Sequence, residues 1–587
     1  MSRRRADSDL RGSSRQGRRL RQDPSAPSTG VGRLPRARSG SRAAGAAGAQ
    51  QLTIAGPPRT AAQAGKLALP TGCQLEPAHP SRRRDLILLG LAHSIVALWL
   101  ALYGANILVL FWLYLRHRRE QVVTPIVSRS DLPTVVVQVP IYNELHVVER
   151  VIDSLAALDY PADRLQIQIL DDSTDATTSL ARQSALRHRQ RGIDIAVLRR
   201  GGRTGYKAGA LSWGLSQTAA EFVAIFDADF RPHPDFLLKT VPHFLARPRL
   251  GVVQARWAYL NVDYSPITRA QAIGLDGHFV VEQIGRSRSG LLFSFNGSGG
   301  VWRRRCIEDS GGWTDDTITE DLDLSYRAQL AGWECLYLPE VEAPAELPPQ
   351  MAAFKRQQSR WAQGSIQTLR KLTPRIIRSR RLTIRQKAMA LLHLSSYVGH
   401  ALMVPLLVLS LPLVLFPNPF GFVLNGLGLV CVGPLLVYTV SQRHLHRDWQ
   451  RRLRAFPLLA LFGLGIAWEN ARAVCRGLAR WGGTFARTPK FRLEGRTGGW
   501  ADSEYRLDST GSLFGEIALA IYALSAAALA VRAGAWGMIP FLLFYAAAFG
   551  TVAGVELKQS FAARRSVAPR RPTAPKLMSG RKSDRIA

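Results

Sequence analysis

Hydrophobic positions along this chain follow two patterns. In the first they are continuous. Residues 86–115 are almost wholly apolar, and apolar runs return at 389–416, 422–440, 456–468, 513–531 and 536–555. A bilayer crossing takes about 20 apolar residues, so 86–115 predicts one long or tilted helix, too short for two. The run 456–468 is short and ends in Glu469–Asn470, so an interfacial or re-entrant helix is expected there. In the second pattern, short β-branched strands alternate with helices. Strands are expected at 134–139, 165–170, 193–198 and 221–226, with helices at 144–157, 174–188 and 207–216 between them. That rhythm predicts a doubly wound α/β sheet, mostly parallel, set between membrane helices. Such sheets bind ligands at the carboxyl ends of their strands.

The residues just after those strands are acidic. Asp171-Asp172-Ser173-Thr174-Asp175 follows the second strand and Asp227-Ala228-Asp229 the fourth. One such Asp would ordinarily be a helix N-cap, and Ser173 or Thr174 is a candidate cap for the next helix. Capping does not explain the same arrangement after two strands. Gathered carboxylates repel unless a cation lies among them. A D-x-D at a strand end suits a hard divalent cation, Mg2+ or Mn2+, with coordination sites left for a diphosphate. The basic loop 199–207 opens onto a helix and carries Lys207, but Gly-Tyr-Lys stands where a phosphate-binding P-loop has Gly-Lys-Ser/Thr. Its amides and Lys207 are candidates for contact with a diphosphate.

Three later clusters join these. Asn296-Gly297-Ser298 lies in a glycine-dense loop read as following an apolar strand, and suits close approach to a ligand. Thr319-Glu320-Asp321-Leu322-Asp323 opens a helix, where acidic residues also favour the dipole. Gln357-Gln358-Ser359-Arg360-Trp361 precedes the first returning span, where Trp and Arg also serve as interface anchors.

Charge and composition narrow the partners. The 587 residues carry 77 Lys+Arg against 43 Asp+Glu, a net +34. Residues 1–84 contribute +13 and 557–587 another +8. Both tails (1–84 and 556–587) are rich in Arg, Ser, Ala, Pro and Gly, and are expected to be disordered near anionic headgroups. No aromatic residues interleave the tail arginines, so nucleic acid is not the expected partner. The cysteines, Cys73, Cys306, Cys335, Cys431 and Cys475, include no C-x-x-C pair, which argues against zinc and against a disulfide framework.

In order, D-D, D-x-D, T-E-D and Q-x-x-R-W followed by spans resemble the processive family 2 glycosyltransferases. The resemblance is strongest to plant cellulose synthase-like glucomannan and xyloglucan-backbone synthases and more distant to cellulose synthase. It rests on QVPIYNE (138–144), LDDSTD (170–175), KAGAL (207–211), FDADF (226–230), GVWRR (300–304), TEDLDLSYR (319–327) and QQSRWAQGS (357–365). It implies a GT-A catalytic domain over 120–385, a span at 85–116, and a membrane and interfacial region at 386–555 with a cytoplasmic segment at 475–512. It also implies a nucleotide-sugar donor (UDP-glucose or GDP-mannose) and inverting transfer to a growing β-linked, β-1,4, polysaccharide. On the matching positions, Asp171 and Asp172 would contact the nucleoside. Asp227 and Asp229 would bind nucleotide and metal, Asp229 the more directly. Asp321 would be the general base. Lys207 and Arg360 would face the diphosphate, and Glu320, Gln357, Trp361 and Asn296–Ser298 the acceptor. Asn296 replaces the Cys of cellulose synthase. Residues 484–491 (TFARTPKF) stand where such enzymes carry a gating loop.

The basic loop 441–454 and the C-tail are expected on the cytoplasmic side with the catalytic domain, in a bacterial plasma membrane. One crossing at 86–115 then puts the N-tail arginines outside, against the positive-inside rule; a start downstream of Met1 would remove the conflict. Two other readings compete with this one. A lipid acceptor taking a single sugar would make the protein a glycolipid-forming enzyme. A transporter would place ionisable residues in paired, repeated spans, but only His393 and His400, read as lying in one span, fit that.

Overall fold

The structure, a computed structural model, describes residues 80–415 and 432–567. Cys73, Cys431, residues 422–431 of one expected span, residues 1–79 and residues 568–587 lie outside the described residues; the inner ends of the two tails expected to be disordered are helical instead, 80–84 opening helix Pro80–His117 and 556–567 ending helix Ile539–Val567. Seven strands form one sheet: β1 Val135–Ile141, β2 Leu165–Asp171, β3 Ile195–Leu198, β4 Phe222–Ile225, β5 Leu250–Tyr259, β6 Gly300–Arg303 and β7 Glu334–Ala345. Their order across the sheet is β3-β2-β1-β4-β6-β5-β7. All neighbours pair in parallel except β6, which is antiparallel to both β4 and β5. This is the GT-A-like mixed sheet that the resemblance implies.

Both faces of the sheet are covered, which is why its strands read as continuous apolar runs. Val135, Val137 and Val139 join one core with Val151, Ile152, Ala181 and Ala185 of two covering helices. Val136 points to the other face, with Leu211, Leu215, Trp302 and Leu324. Each buried side chain of this size contributes about 1.5–3 kcal/mol. Gln138 and Gln168 are opposite each other in register and buried, and Gln138 Nε2 donates to Gln168 Oε1 (3.0 Å).

The helix expected at 174–188 begins three residues later, as Thr177–Arg189. Neither Ser173 nor Thr174 caps it. The Ser173 hydroxyl instead accepts from the Asn143 amide (2.9 Å), and Asp175 accepts from the Thr177 amide (2.9 Å). The turn after β2 is thus pinned to the turn after β1 before the helix can start. The stretch before Asn296 is coil, not a strand; the strand, β6, follows the loop.

Four described helices are long and apolar enough to cross a bilayer: Ile87–His117, Ser396–Val414, Leu513–Arg532 and Trp536–Arg564. The first exposes Leu88, Leu98, Trp99 and Trp112 on its outside, as a lipid-facing helix must. The run 389–416 is divided at Ser395 into helices Ile384–Leu394 and Ser396–Leu415. His393 and His400 therefore lie on different helices, bonded to Tyr326 and Asn470 respectively. The short run at 456–468 is half of a bent pair, Trp449–Gly465 and Ala467–Ala479, angled at 42°. Beyond the bend, Glu469 is bonded by Ser359 (2.8 Å), Arg472 (3.0 Å) and Arg476 (3.0 Å).

The 28-residue helix Met351–Arg378 joins the sheet domain to these helices. Its Lys355 is fully buried between Glu516 (2.7 Å), in the first turn of helix Leu513–Arg532, and Glu556, in the C-terminal half of helix Ile539–Val567. Replacing Lys355 with Met would leave two buried carboxylates facing each other, and losing one partner of a buried ion pair costs about 3–5 kcal/mol. The Lys355→Met protein should therefore unfold at a clearly lower temperature in detergent. An unchanged midpoint would show that the carboxylates do not depend on the lysine.

Candidate active site

The sheet's topology explains why separate motifs meet at one edge. β1, β2 and β4 run parallel, with Ile141 beside Asp171 and Gln138 beside Ile225, so their carboxyl ends lie together. Being antiparallel, β6 brings its amino end to the same edge. Ile225 pairs with Gly300, and the Gly299 amide donates to the Ile225 carbonyl (2.9 Å). The loop 296–299 thus arrives beside Asp227, whose amide donates to the Ser298 hydroxyl (2.9 Å). β7 ends at the same edge and delivers Glu346, and helix Met351–Arg378 then carries Gln357, Arg360 and Trp361 over the opening.

One cleft is lined by Asp172, Lys207, Asp227, Asp229, Asn296, Gly297, Glu320, Asp321, Gln357, Arg360 and Trp361. Eleven of the thirteen site residues expected from sequence therefore share it. The other two stand just behind. Ser298 is fully buried as a brace for Asp227. Asp171 is buried too, accepting from the Ser173 amide (2.8 Å), the Thr178 hydroxyl (2.7 Å) and Arg199 (3.0 Å). Asp172 takes a bidentate pair from Arg200 at 2.9 and 2.7 Å. Two arginines of the basic loop thus hold the D-D pair in place. Arg203, which lines the cleft, lies 3.4 Å over the Tyr142 ring.

Lys207 is the electrostatic centre. Its ammonium bonds Asp227 (2.7 Å) and the Gly297 carbonyl (2.9 Å) and lies 3.7 Å from Glu320. Burial disfavours its charge, but Asp227, Glu320 and Asp321 outweigh that and hold it above the usual lysine range. Asp321 opens helix Glu320–Ala331 and accepts from the Leu322 amide (2.8 Å). Its burial, with the charge of Glu320 beside it, pushes it up to about 7 against the pull of Lys207 and Arg360. Gly297 is needed here. Its φ is +81°, and a Cβ would sit 2.6 Å from the Asp321 carboxylate.

Sequence reasoning missed much of the opposite wall. Segment 484–494 folds across the cleft. Phe485 stacks on Tyr206 and lies 4.4 Å under the Arg360 guanidinium. Arg487 pairs with Glu144 (2.7 Å), and Lys490 with Asp229 (2.7 Å). Burial pushes Glu144 up to about 7, in spite of Arg487 and Lys490. Glu346 anchors the segment by accepting from the amides of Phe491 (2.8 Å) and Leu493 (3.0 Å). Only the motif-like text of 484–491 hinted at this wall; Glu346 stands in no motif.

The donor set was tested against a divalent cation. Among the described residues, no three or more His, Cys, Asp or Glu side chains are grouped to hold an ion by themselves. Each carboxylate of the D-A-D does draw a cation, Lys207 on Asp227 and Lys490 on Asp229. Hard oxygen donors that already attract positive charge fit Mg2+ or Mn2+, provided a ligand's phosphates complete the coordination.

Residues 133–364 match the family model described as "Glycosyltransferase like family 2". The chain is 43% identical over 262 residues (44% of this chain, 49% of the relative) to glucomannan 4-beta-mannosyltransferase 2 of Arabidopsis thaliana. It is 37% identical over 366 residues (60% and 62%) to glucomannan 4-beta-mannosyltransferase 7 of the same plant. Among solved structures it is similar to the mannosyltransferase PcManGT of Pyrobaculum calidifontis, with TM-score 0.45 and 21% identity over 67% of this chain and 99% of that one. The chain spans about half the length of most of the curated relatives it matches. Over residues 133–364 the chain is thus similar to the family 2 glycosyltransferases, and the curated relatives matched there are glucomannan 4-beta-mannosyltransferases.

Proposed function

We propose that the protein is a membrane-embedded, inverting hexosyltransferase that extends a β-1,4-linked polysaccharide from a nucleotide sugar, with GDP-mannose the favoured donor and UDP-glucose the other. The observation that carries this is the cleft itself: a half-buried carboxylate poised near neutrality, Asp321, faces the Lys207–Asp227 pair. The mannose preference comes from the relatives' names.

A sugar hydroxyl is a poor nucleophile until its proton is taken as it attacks. Asp321 accepts that proton. The hydroxyl oxygen bonds to the anomeric carbon from the face opposite the leaving group, and the anomeric carbon–phosphate oxygen bond breaks. The nucleoside diphosphate leaves with the bonding pair, and no covalent enzyme intermediate is required. Lys207 and Arg360, in one low-dielectric cleft, offset the charge gathering on it. Asp227 and Asp229 would hold Mg2+ or Mn2+ with the diphosphate, and the ion would add Lewis-acid stabilisation of the leaving group. Trp361 and Gln357 offer the acceptor an aromatic face and an amide. The catalytic domain and the basic loop at 441–454 lie on the cytoplasmic side in this reading, and the long apolar helices give the polymer its way across.

Membranes holding the protein, offered labelled GDP-mannose and UDP-glucose separately, should make a long polymer from one donor that a β-1,4-specific hydrolase digests. A single sugar on extracted lipid would instead make it a glycolipid-forming enzyme. Asp321→Asn should lower transfer by about 10²–10⁴-fold. The working form of Asp321 is the carboxylate, so kcat/KM should hold above pH about 7 and fall roughly tenfold per unit below it. A flat profile from pH 5 to 8 would remove Asp321 as the base. Chelation should abolish transfer, Mg2+ or Mn2+ should restore it, and Asp229→Ala should not be restored; transfer unchanged in Asp229→Ala would sink the metal assignment.

A further inference from the structure

Beside the acceptor end of the cleft the chain makes one turn of π-helix, Gly277–Glu282, between helices Pro266–Asp276 and Gln283–Arg288. Such insertions re-aim side chains and recur at functional sites. Gly277 lets this turn sit close against the Tyr438 ring, where a Cβ would come within 2.7 Å. The turn presents His278 and Glu282 on one side, next to Asn296 of the cleft wall.

The hydrogen bonds around Asn296 have one consistent direction. Gln283 Nε2 donates to Asn296 Oδ1 (2.7 Å), so the amide nitrogen is the other atom of the carboxamide. That nitrogen lies 3.1 Å from His278 Nε2 and has only the ring lone pair to donate to. His278 must then carry its proton on Nδ1, which lies 3.0 Å from Glu282 Oε2. Burial works against the Glu282 carboxylate, but the His278 bond and Arg286 hold it below the usual range, so the relay ends on a charge. The backbone of Asn296 is fixed too, by its amide's 2.8 Å bond to Gln254 Oε1. The second amide hydrogen of Asn296 is left for a ligand in the cleft.

We propose that His278 is a positioning residue for the acceptor sugar: with Glu282 setting its tautomer, it locks the Asn296 carboxamide so that an N–H faces an acceptor hydroxyl oxygen. This rests on the transferase reading above. An acceptor whose attacking hydroxyl loses its proton to Asp321 must be held in register by its neighbouring hydroxyls. A carboxamide free to flip would present oxygen and nitrogen in turn and hold no register. His278 never touches the reacting atoms; it acts through Asn296.

The test uses membranes holding the full chain, labelled GDP-mannose or UDP-glucose, and the acceptors mannotetraose and cellotetraose. His278→Ala should raise the acceptor KM about tenfold, the loss of one directed hydrogen bond. Donor KM, and donor hydrolysis without acceptor, should not change. Glu282→Gln, nearly isosteric, should raise acceptor KM by a smaller factor. Asn296→Ala should match His278→Ala, and the double variant should be no worse than either. Three results would each overturn the proposal: an unchanged acceptor KM in His278→Ala, independent losses that multiply in the double variant, or donor hydrolysis falling in step with transfer in both His278→Ala and Glu282→Gln. Wild-type membranes that transfer to neither acceptor from either donor would instead bring down the transferase reading, and this proposal with it.

Discussion

Pairing of the cleft carboxylates with lysines is the constraint on which the rest of the site depends. Asp227, Asp229, Glu320 and Asp321 come together at one end of a sheet whose faces are closed to water. Bare, such a group would repel itself or take up protons. Lys207 enters from the helix after β3 and binds Asp227; Lys490 enters from a segment more than 260 residues further along and binds Asp229. The two lysines set a positive charge against each carboxylate of the D-A-D. Asp321 has a different environment. It faces Glu320 without a lysine bonded to it, and its pKa rises to about 7, where a base is most useful. In the proposed reaction these neighbouring carboxylates divide into ligands and base according to which cation reaches each one.

The single antiparallel strand makes this grouping possible. Parallel strands alone deliver carboxyl ends to the active edge, and every connection must return along a helix to do so. β6 delivers an amino end instead. The Asn296–Ser298 loop can therefore arrive from the opposite direction and lie across Asp227, with Gly297 under Asp321. A bulky residue at 297 would push against the Asp321 carboxylate, so the glycine at 297 follows from the topology.

The acidic and basic motifs were legible because each sits directly after a strand or at a helix start, where local sequence reports local structure. β1 to β4 appear within a few residues of their expected limits for the same reason. Glu346, Lys490, Arg487 and Glu144 were not legible as a set. Their meeting is a matter of long-range packing, and nothing in the text of 346 announces that it will hold the amides of Phe491 and Leu493. The wrong cap at Ser173–Thr174 has a similar origin: the hydroxyl expected to serve its own helix is taken by Asn143, on a different strand's turn. The division of 389–416 at Ser395 was hidden because apolar composition alone does not record where a helix axis changes.

Helix Met351–Arg378 shows how the cleft and the long apolar helices form one mechanical unit. One stretch of it carries Gln357, Arg360 and Trp361 into the cleft. Two turns or fewer away, Lys355 is locked to Glu516 and Glu556, and Ser359 to Glu469 and Arg476. These contacts reach three different helices, two of them long enough to cross a bilayer. A shift of those helices cannot leave Trp361 behind, because buried ion pairs resist being separated. The same helix bonds Gln358 to Tyr397 on a third apolar helix, 3.2 Å away. Trp361 therefore sits on an element whose position is set jointly by the sheet domain and the long apolar helices. That joint support is what the proposed passage of a polymer from the cleft to the apolar helices requires.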